Sequence, residues 1–124
     1  MSHCFPARRA AAPDLSCGVP LRAGELFILG FRGAPIPAWL ADFEREFGLG
    51  GVVLFDRDLA SGGTTRNIEA PEELRSLCAA IHRLPSRPLI FVDQEGGLVR
   101  RLRPERGFED LPSAADIACL EEEK

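Results

Sequence analysis

No stretch of the 124 residues approaches the run of roughly 20 apolar residues that crosses a bilayer, and the first twenty residues lack the continuous apolar centre of a secretory signal. A cytoplasmic protein without a membrane partner is the expectation. Cys4, Cys17, Cys78 and Cys119 are scattered without a C-x-x-C pair, so neither a zinc site nor a disulfide framework is indicated. Histidine is scarce too. His3 has only Cys4 beside it, too few partners for a metal site, and His82 reads as a solvated residue at a helix end. Positive charge is not in excess, and a net charge of -4 favours neither nucleic acid nor an anionic membrane. A dinucleotide fingerprint is missing as well, because Gly48-Leu49-Gly50-Gly51 precedes a strand where the fingerprint must follow one. Neither a cofactor nor a metal is expected.

What is present is a globular composition, 45% hydrophobic and 27% charged. Residues 1–20, rich in Ala, Arg and Pro without periodicity, read as a mobile tail, and order is expected over residues 21–124. Glu25 to Phe31 reads as a first strand. Pro35-Ile36-Pro37 then introduces a helix with Leu40, Phe43 and Phe47 on one face, ended by Gly48 to Gly51. Val52 to Phe55 reads as a second, buried strand. Asp56 to Asn67, containing Ser61-Gly62-Gly63-Thr64-Thr65, is a polar loop longer than an ordinary βα connection, and loops of that kind carry function or flexibility. Pro71 with Glu72 and Glu73 suits a helix start. The helix runs to about His82, and Leu74, Leu77, Cys78 and Ile81 form its buried stripe. A third strand follows Pro88, so the order is β-α-β-α-β, an α/β pattern with a parallel sheet. Ser113 with Asp116 three residues on marks a further capped helix start.

The segment that carries chemistry is Leu89-Ile90-Phe91-Val92-Asp93-Gln94-Glu95-Gly96-Gly97-Leu98-Val99-Arg100-Arg101. Four apolar residues fit a strand buried on both faces. They stop at Asp93, which then stands at the strand's carboxyl end, the edge where ligands bind in barrels and open α/β sheets. A carboxylate there can accept hydrogen bonds from two neighbouring hydroxyls of a sugar, or it can cap the backbone N–H groups of the glycine turn. Spacing alone leaves both open. Arg101 presents up to five fixed donors for sugar oxygens or for Asp93, whereas Arg100 need not share that role. Arg100, Arg101, Arg103 and Arg106 could form a basic patch, but Glu105, Glu109 and Asp110 interrupt it and no aromatic platform is interleaved.

This segment, with GFEDLP after it, closely resembles the strand-three signature of glycoside hydrolase family 3, in particular its bacterial β-N-acetylhexosaminidase branch. Gly50-Gly51-Val52-Val53-Leu54-Phe55-Asp56-Arg57-Asp58 looks like the family's second strand and following loop, and Leu111-Pro112-Ser113 sits where the family places a Leu-Pro step. The chain departs from the pattern at Leu98, where a basic or polar residue is common, and at Asp58, where asparagine is common. The resemblance implies a TIM (β/α)8 barrel. Because such a barrel needs roughly 250 residues, this chain is expected to hold its N-terminal part, and an end at Glu121-Glu122-Glu123-Lys124 inside a helix favours truncation.

The resemblance also implies a retaining glycosidase that releases terminal β-linked N-acetylglucosamine from cell-wall fragments during peptidoglycan recycling. Asp93 and Arg101 match the family's substrate-binding aspartate and arginine. The nucleophilic aspartate and the acid/base histidine are expected beyond Lys124, which leaves no catalytic residue here. Glu95 beside Asp93 is then an anchor for its loop and not half of a catalytic carboxylate pair, which retaining hydrolysis would need about 5 to 5.5 Å apart across the sugar. A β-glucosidase of the same family and a noncatalytic carbohydrate-binding remnant are the alternatives. Oligomeric state is not legible.

Overall fold

The computed structural model describes residues 21–58, 63 and 67–122. The expected tail over residues 1–20 lies outside them, as do residues 59–62 and 64–66 of the loop after the second strand. Three strands, β1 (Ile28–Gly30), β2 (Gly51–Leu54) and β3 (Leu89–Val92), form a parallel sheet in the order β1-β2-β3. Two helices, α1 (Ala38–Phe47) and α2 (Pro71–Ile81), make the crossovers, and α3 (Ala114–Glu122) follows the third strand. The expected α/β pattern is therefore present.

The register decides what each face of the sheet does. Leu29, Val52 and Ile90 lie side by side, and Leu54 lies beside Val92 on the same face. That face receives the helices, and Val52 and Leu54 are buried with Leu40 of α1, Leu77 and Ile81 of α2, Phe31, Leu49 and Ile68. Leu74 and Cys78 pack against this cluster from the expected stripe, and burial pushes the Cys78 thiol up from its ordinary value. The alternate residues, Ile28, Val53, Leu89 and Phe91, point to the other face. Among the described residues no element covers them, and Ile28 is 53% and Leu89 65% exposed.

Double-sided burial of the third strand is thus overturned. A run of four apolar residues satisfies one covered face, and as an outer strand of the sheet β3 has only β2 beside it. The first strand is also shorter than expected, because Ala23–Leu26 forms a 3-10 turn. There the backbone of Gly24 presses on the Gly48 carbonyl so closely that a Cβ would sit 2.1 Å from that oxygen. The Gly24 carbonyl is spent on the N–H of Gly50 at 3.1 Å, and that of Phe27 on the N–H of Gly51 at 3.1 Å.

Helix α1 starts after Pro37, in the extended conformation that cannot continue a helix backwards. Leu40 faces the core as expected, but Phe47 stays 42% exposed, tilted against Phe43 at 5.3 Å. One turn beyond Leu40 the buried position belongs to Glu44. Its Oε1 accepts the backbone N–H of Ser86 at 2.9 Å and the Ser86 hydroxyl at 2.7 Å, while Ser86 Oγ accepts the N–H of Leu49 at 3.2 Å. A buried carboxylate is tolerated only when hydrogen-bonded, and here the bonds tie α1 to the turn before β3. Helix α2 has Pro71 at its start with Glu72 and Glu73 in its first turn, and His82, exposed, caps its end.

Ser113 and Asp116 form a reciprocal cap on α3. The N–H of Asp116 donates to Ser113 Oγ at 3.2 Å, and the Asp116 carboxylate accepts the Ser113 hydroxyl at 2.7 Å and its N–H at 3.1 Å. These two bonds from Ser113 hold the Asp116 carboxyl below the ordinary aspartate value.

Three outcomes follow. Leu89→Thr with Ile28→Thr, which places a β-branched residue suited to a strand at both positions, should reduce dye binding and self-association without loss of helical circular dichroism. Leu54→Ala on the covered face should instead lower stability by about 2 to 5 kcal/mol in urea titration. For α3, a depressed folded value means that the cap contributes above the ordinary aspartate range and is lost as pH falls through the lowered one. NMR titration of the Asp116 carboxyl should therefore show a midpoint below that of a solvated aspartate, restored upward by Ser113→Ala, with α3 fraying on the acid side.

Candidate functional site

Parallel strands deliver their carboxyl ends to one edge, so the residues after β1, β2 and β3 meet there. After β1 come Phe31 and Arg32; after β2, Phe55, Asp56, Arg57 and Asp58; after β3, Asp93 and Gln94. Asn67 joins the first two exits. Buried, it donates from Nδ2 to the carbonyls of Phe31 at 3.0 Å and Gly33 at 2.9 Å, and accepts the N–H of Phe55 on Oδ1 at 3.1 Å. Arg32 Nε pairs with Asp58 at 2.9 Å across the same two exits.

The third exit folds back on itself. Gly96 has φ +76° and Gly97 φ +56°, backbone that favours glycine, and a Cβ on Gly96 would lie 2.3 Å from the Pro112 carbonyl oxygen. Gly96 bridges to Val99, with the N–H of Glu95 donating to the Val99 carbonyl at 2.9 Å. Gln94 then pins the returning strand of the loop. Its Oε1 accepts the N–H of Arg101 at 2.8 Å and of Leu102 at 3.0 Å, and its Nε2 lies 3.4 Å from the Leu102 carbonyl.

This corrects the role expected of Glu95. Its side chain is exposed and makes no hydrogen bond or ion pair with the described residues. Neighbouring residues of an extended chain point to opposite sides, and the inward side falls to Gln94. The glycine turn takes no cap from Asp93 either: among the described residues its carboxylate meets only Arg101, Nη2 to Oδ2 at 3.7 Å, and it is 56% exposed.

Arg101 comes back across the strand ends beside Asp93. Its Nη1 lies 3.5 Å from Asp56 Oδ1 and its guanidinium carbon 5.7 Å from the centre of the Phe55 ring. Arg100 points elsewhere, to Asp110 at 2.7 Å and Glu105 at 3.5 Å. Arg106 donates to the Ile68 carbonyl at 2.6 Å. The four arginines thus form no single patch: Arg100 and Arg106 turn to separate partners while Arg101 and Arg103 share Asp56, and two of the acids that interrupt them in sequence hold Arg100.

The residue that sequence reasoning missed is Asp56. Its side chain is 0% exposed and receives Arg103 Nε at 2.7 Å, Arg101 at 3.5 Å and Arg57 Nε at 3.7 Å. A charge removed entirely from water needs such company, since breaking a buried pair by removing one partner costs about 3 to 5 kcal/mol. The available signal was an acid just past a buried strand with an arginine-rich segment following the next one. Among the described residues, no group of three His, Cys, Asp or Glu side chains could hold a metal ion. A shallow apolar pocket of about 410 Å³, lined by Ala34, Pro35, Ile36, Leu77 and their α2 neighbours, contains none of these charged groups. The arrangement is chemically a donor–acceptor pair, one accessible carboxylate beside one restrained guanidinium, at an edge open to solvent.

No protein-family model matches the chain. Curated proteins do. It is 38% identical over 96 residues to a β-hexosaminidase of Stenotrophomonas maltophilia (strain K279a), covering 77% of this chain and 25% of that protein. A β-hexosaminidase of Pseudomonas aeruginosa (strain LESB58) is 40% identical over 84 residues, 64% of this chain and 22% of that protein. One from Alkalilimnicola ehrlichii is 44% identical over 73 residues, 58% and 18% respectively. The chain is thus related by sequence to bacterial β-hexosaminidases over part of its length, and spans about a quarter or less of theirs.

Gln94→Ala removes the acceptor of two backbone N–H groups, a loss of about 1 to 3 kcal/mol for buried donors. Hydrogen exchange at the amides of Arg101 and Leu102 should accelerate markedly, while that of β2 stays slow. Glu95→Ala should leave all of these rates unchanged.

Proposed function

We propose that this chain is the N-terminal part of a family 3 glycoside hydrolase barrel, and that Asp93 and Arg101 bind the sugar of a terminal β-linked N-acetylglucosamine. The observation that carries the reading is the meeting of Asp93 and Arg101 at 3.7 Å on the carboxyl edge of a parallel sheet, in a chain whose curated relatives are named β-hexosaminidases. Those names favour the N-acetylhexosamine over the glucoside alternative.

The barrel is supported by the division of the sheet: helices on one face, and on the other the apolar Ile28, Val53, Leu89 and Phe91, of which all but the half-buried Val53 are exposed. In a closed barrel these inward residues fill the interior in layers. Residues 21–124 would be the first portion of that domain. The remaining strands, with the nucleophile and the acid/base group of a retaining mechanism, belong in this reading to the three quarters of the relatives that the chain does not cover. A cytoplasmic enzyme acting on cell-wall-derived sugars is the setting that the reading implies.

Within this chain the chemistry is recognition. An exposed Asp93 carboxylate can accept two adjacent ring hydroxyls, each such bond to a charged acceptor contributing about 1.5 to 3 kcal/mol. Arg101, its backbone held by Gln94, offers donors to the neighbouring sugar oxygens. Bonds of this kind orient the ring for groups on later strands.

The test joins residues 1–124 to the portion of the Pseudomonas aeruginosa relative that follows its matched segment. The chimera should hydrolyse an aryl N-acetyl-β-glucosaminide, and residues 1–124 alone should not. Asp93→Ala and Arg101→Ala should each lower kcat/KM by roughly ten- to a hundredfold, with a milder loss for Arg100→Ala. A folded, active chimera indifferent to Asp93→Ala would overturn the assignment.

A further inference from the structure

We infer that Asp56 is a positioning residue whose buried carboxylate sets the angle at which Arg101 presents a free donor beside Asp93. The inference rests on the reading of Arg101 as a ligand-binding group. An arginine stem is long and rotatable, so a guanidinium that must meet a ligand in one geometry needs holding at more than one point. Arg101 is held at three. Its backbone N–H is on Gln94 Oε1 at 2.8 Å, its guanidinium lies over the Phe55 ring at 5.7 Å, and its Nη1 faces Asp56 Oδ1 at 3.5 Å. The opposite nitrogen, Nη2, stands 3.7 Å from Asp93 Oδ2, beyond ordinary hydrogen-bond reach. That nitrogen keeps donor capacity for an incoming oxygen.

Asp56 suits this work because solvent does not reach it. It is 0% exposed, and its other oxygen is occupied by Arg103 Nε at 2.7 Å, with Arg57 Nε at 3.7 Å. These two cations balance the carboxylate, and because it has no exposed surface a ligand entering from solvent neither touches it nor competes for it. Arg101 Nε is buried without a partner, which leaves the ionic contact of Nη1 as the main directional restraint on the guanidinium. Asp56 stands at the end of β2, the strand with a partner on each side, so the restraint is anchored to the most buried strand of the sheet.

The experiment uses the 124-residue chain and two readouts. Phenylglyoxal modification, mapped residue by residue, reports how firmly Arg101 is held, with exposed Arg83 as internal reference. Asp56→Asn keeps the shape and removes the charge, and should raise the Arg101 rate about tenfold relative to Arg83. Phe55→Leu removes the ring and keeps the carboxylate, and should leave Arg101 shielded. It tests the inference even where Asp56→Asn does not fold. An unchanged Arg101 rate in folded Asp56→Asn, or a tenfold rise in Phe55→Leu, overturns it.

The second readout is NMR titration with N-acetylglucosamine, whose dissociation constant should weaken about fivefold or more in Asp56→Asn through loss of a charge-assisted restraint. A merely structural role would leave the affinity of the folded variant unchanged, and that result also overturns the inference. If Asp56→Asn frees Arg101 to the reagent but the wild-type chain shows no sugar-dependent shifts, the positioning role stands and the sugar reading falls.

Discussion

Strand β2 is the member of the sheet with a hydrogen-bonded neighbour on each side, and the fold is organised around that constraint. Its helix-facing pair, Val52 and Leu54, is dry because α1 and α2 both return over the same face, as right-handed crossovers between adjacent parallel strands require. The same parallel arrangement sends every strand exit to one edge. A cluster of charge at that edge follows from topology first and from residue choice second.

At the edge, polar side chains do the joining that apolar ones do underneath. Asn67 links the exits of β1 and β2, Asp56 links the exit of β2 to the segment after β3, and Glu44 closes the opposite end by holding Ser86. Each is buried and each is satisfied by groups remote in sequence, so each acts as a cross-link that is expensive to leave half-made. Between them they convert three short strands, which an isolated sheet of this size would hold only weakly, into a platform whose loops have fixed starting points. Asp93 and Arg101 inherit their geometry from that platform and not from contacts with each other.

The local rules of helix and strand made much of this readable. The stripe Leu74, Leu77, Cys78 and Ile81, the Pro71 start with two following acids, and the pairing of Ser113 with Asp116 all rest on interactions within a turn or two of chain, and each stands as expected. What was not readable depends on distance. Glu44 meets Ser86 across 42 positions and Asp56 meets Arg103 across 47, and neither residue carries a local mark that separates a buried acid from a solvated one. The bare face of β3 escaped for a related reason, since a run of Leu, Ile, Phe and Val reads the same whether or not something lies above it. The exchange of roles between Glu95 and Gln94 turned on which of two adjacent polar residues faces inward, a matter of one residue in phase. Nearness of Asp93 to Arg101 was expected through a resemblance; the buried acid beneath them was not.

The contact between Gly96 and the Pro112 carbonyl makes the intervening chain a ring closed at its neck. The eight-residue step from Asp93, just before the ring, to Arg101 within it is a fixed measure, because Gln94 clasps the backbone of Arg101 and Leu102. The segment around Gly107, Phe108 and Glu109 is held more lightly among the described residues, by the short 3-10 turn at Pro104–Arg106, the Phe108 N–H on the Arg103 carbonyl at 3.4 Å and the Phe108 side chain against the core. Loop closure grows only slowly with length, about 0.6 kcal/mol for each doubling. Length variation among descendants of this sequence should therefore collect on the far side of the ring, near residues 107–110, while the interval from residue 93 to residue 101 stays constant even where its side chains drift.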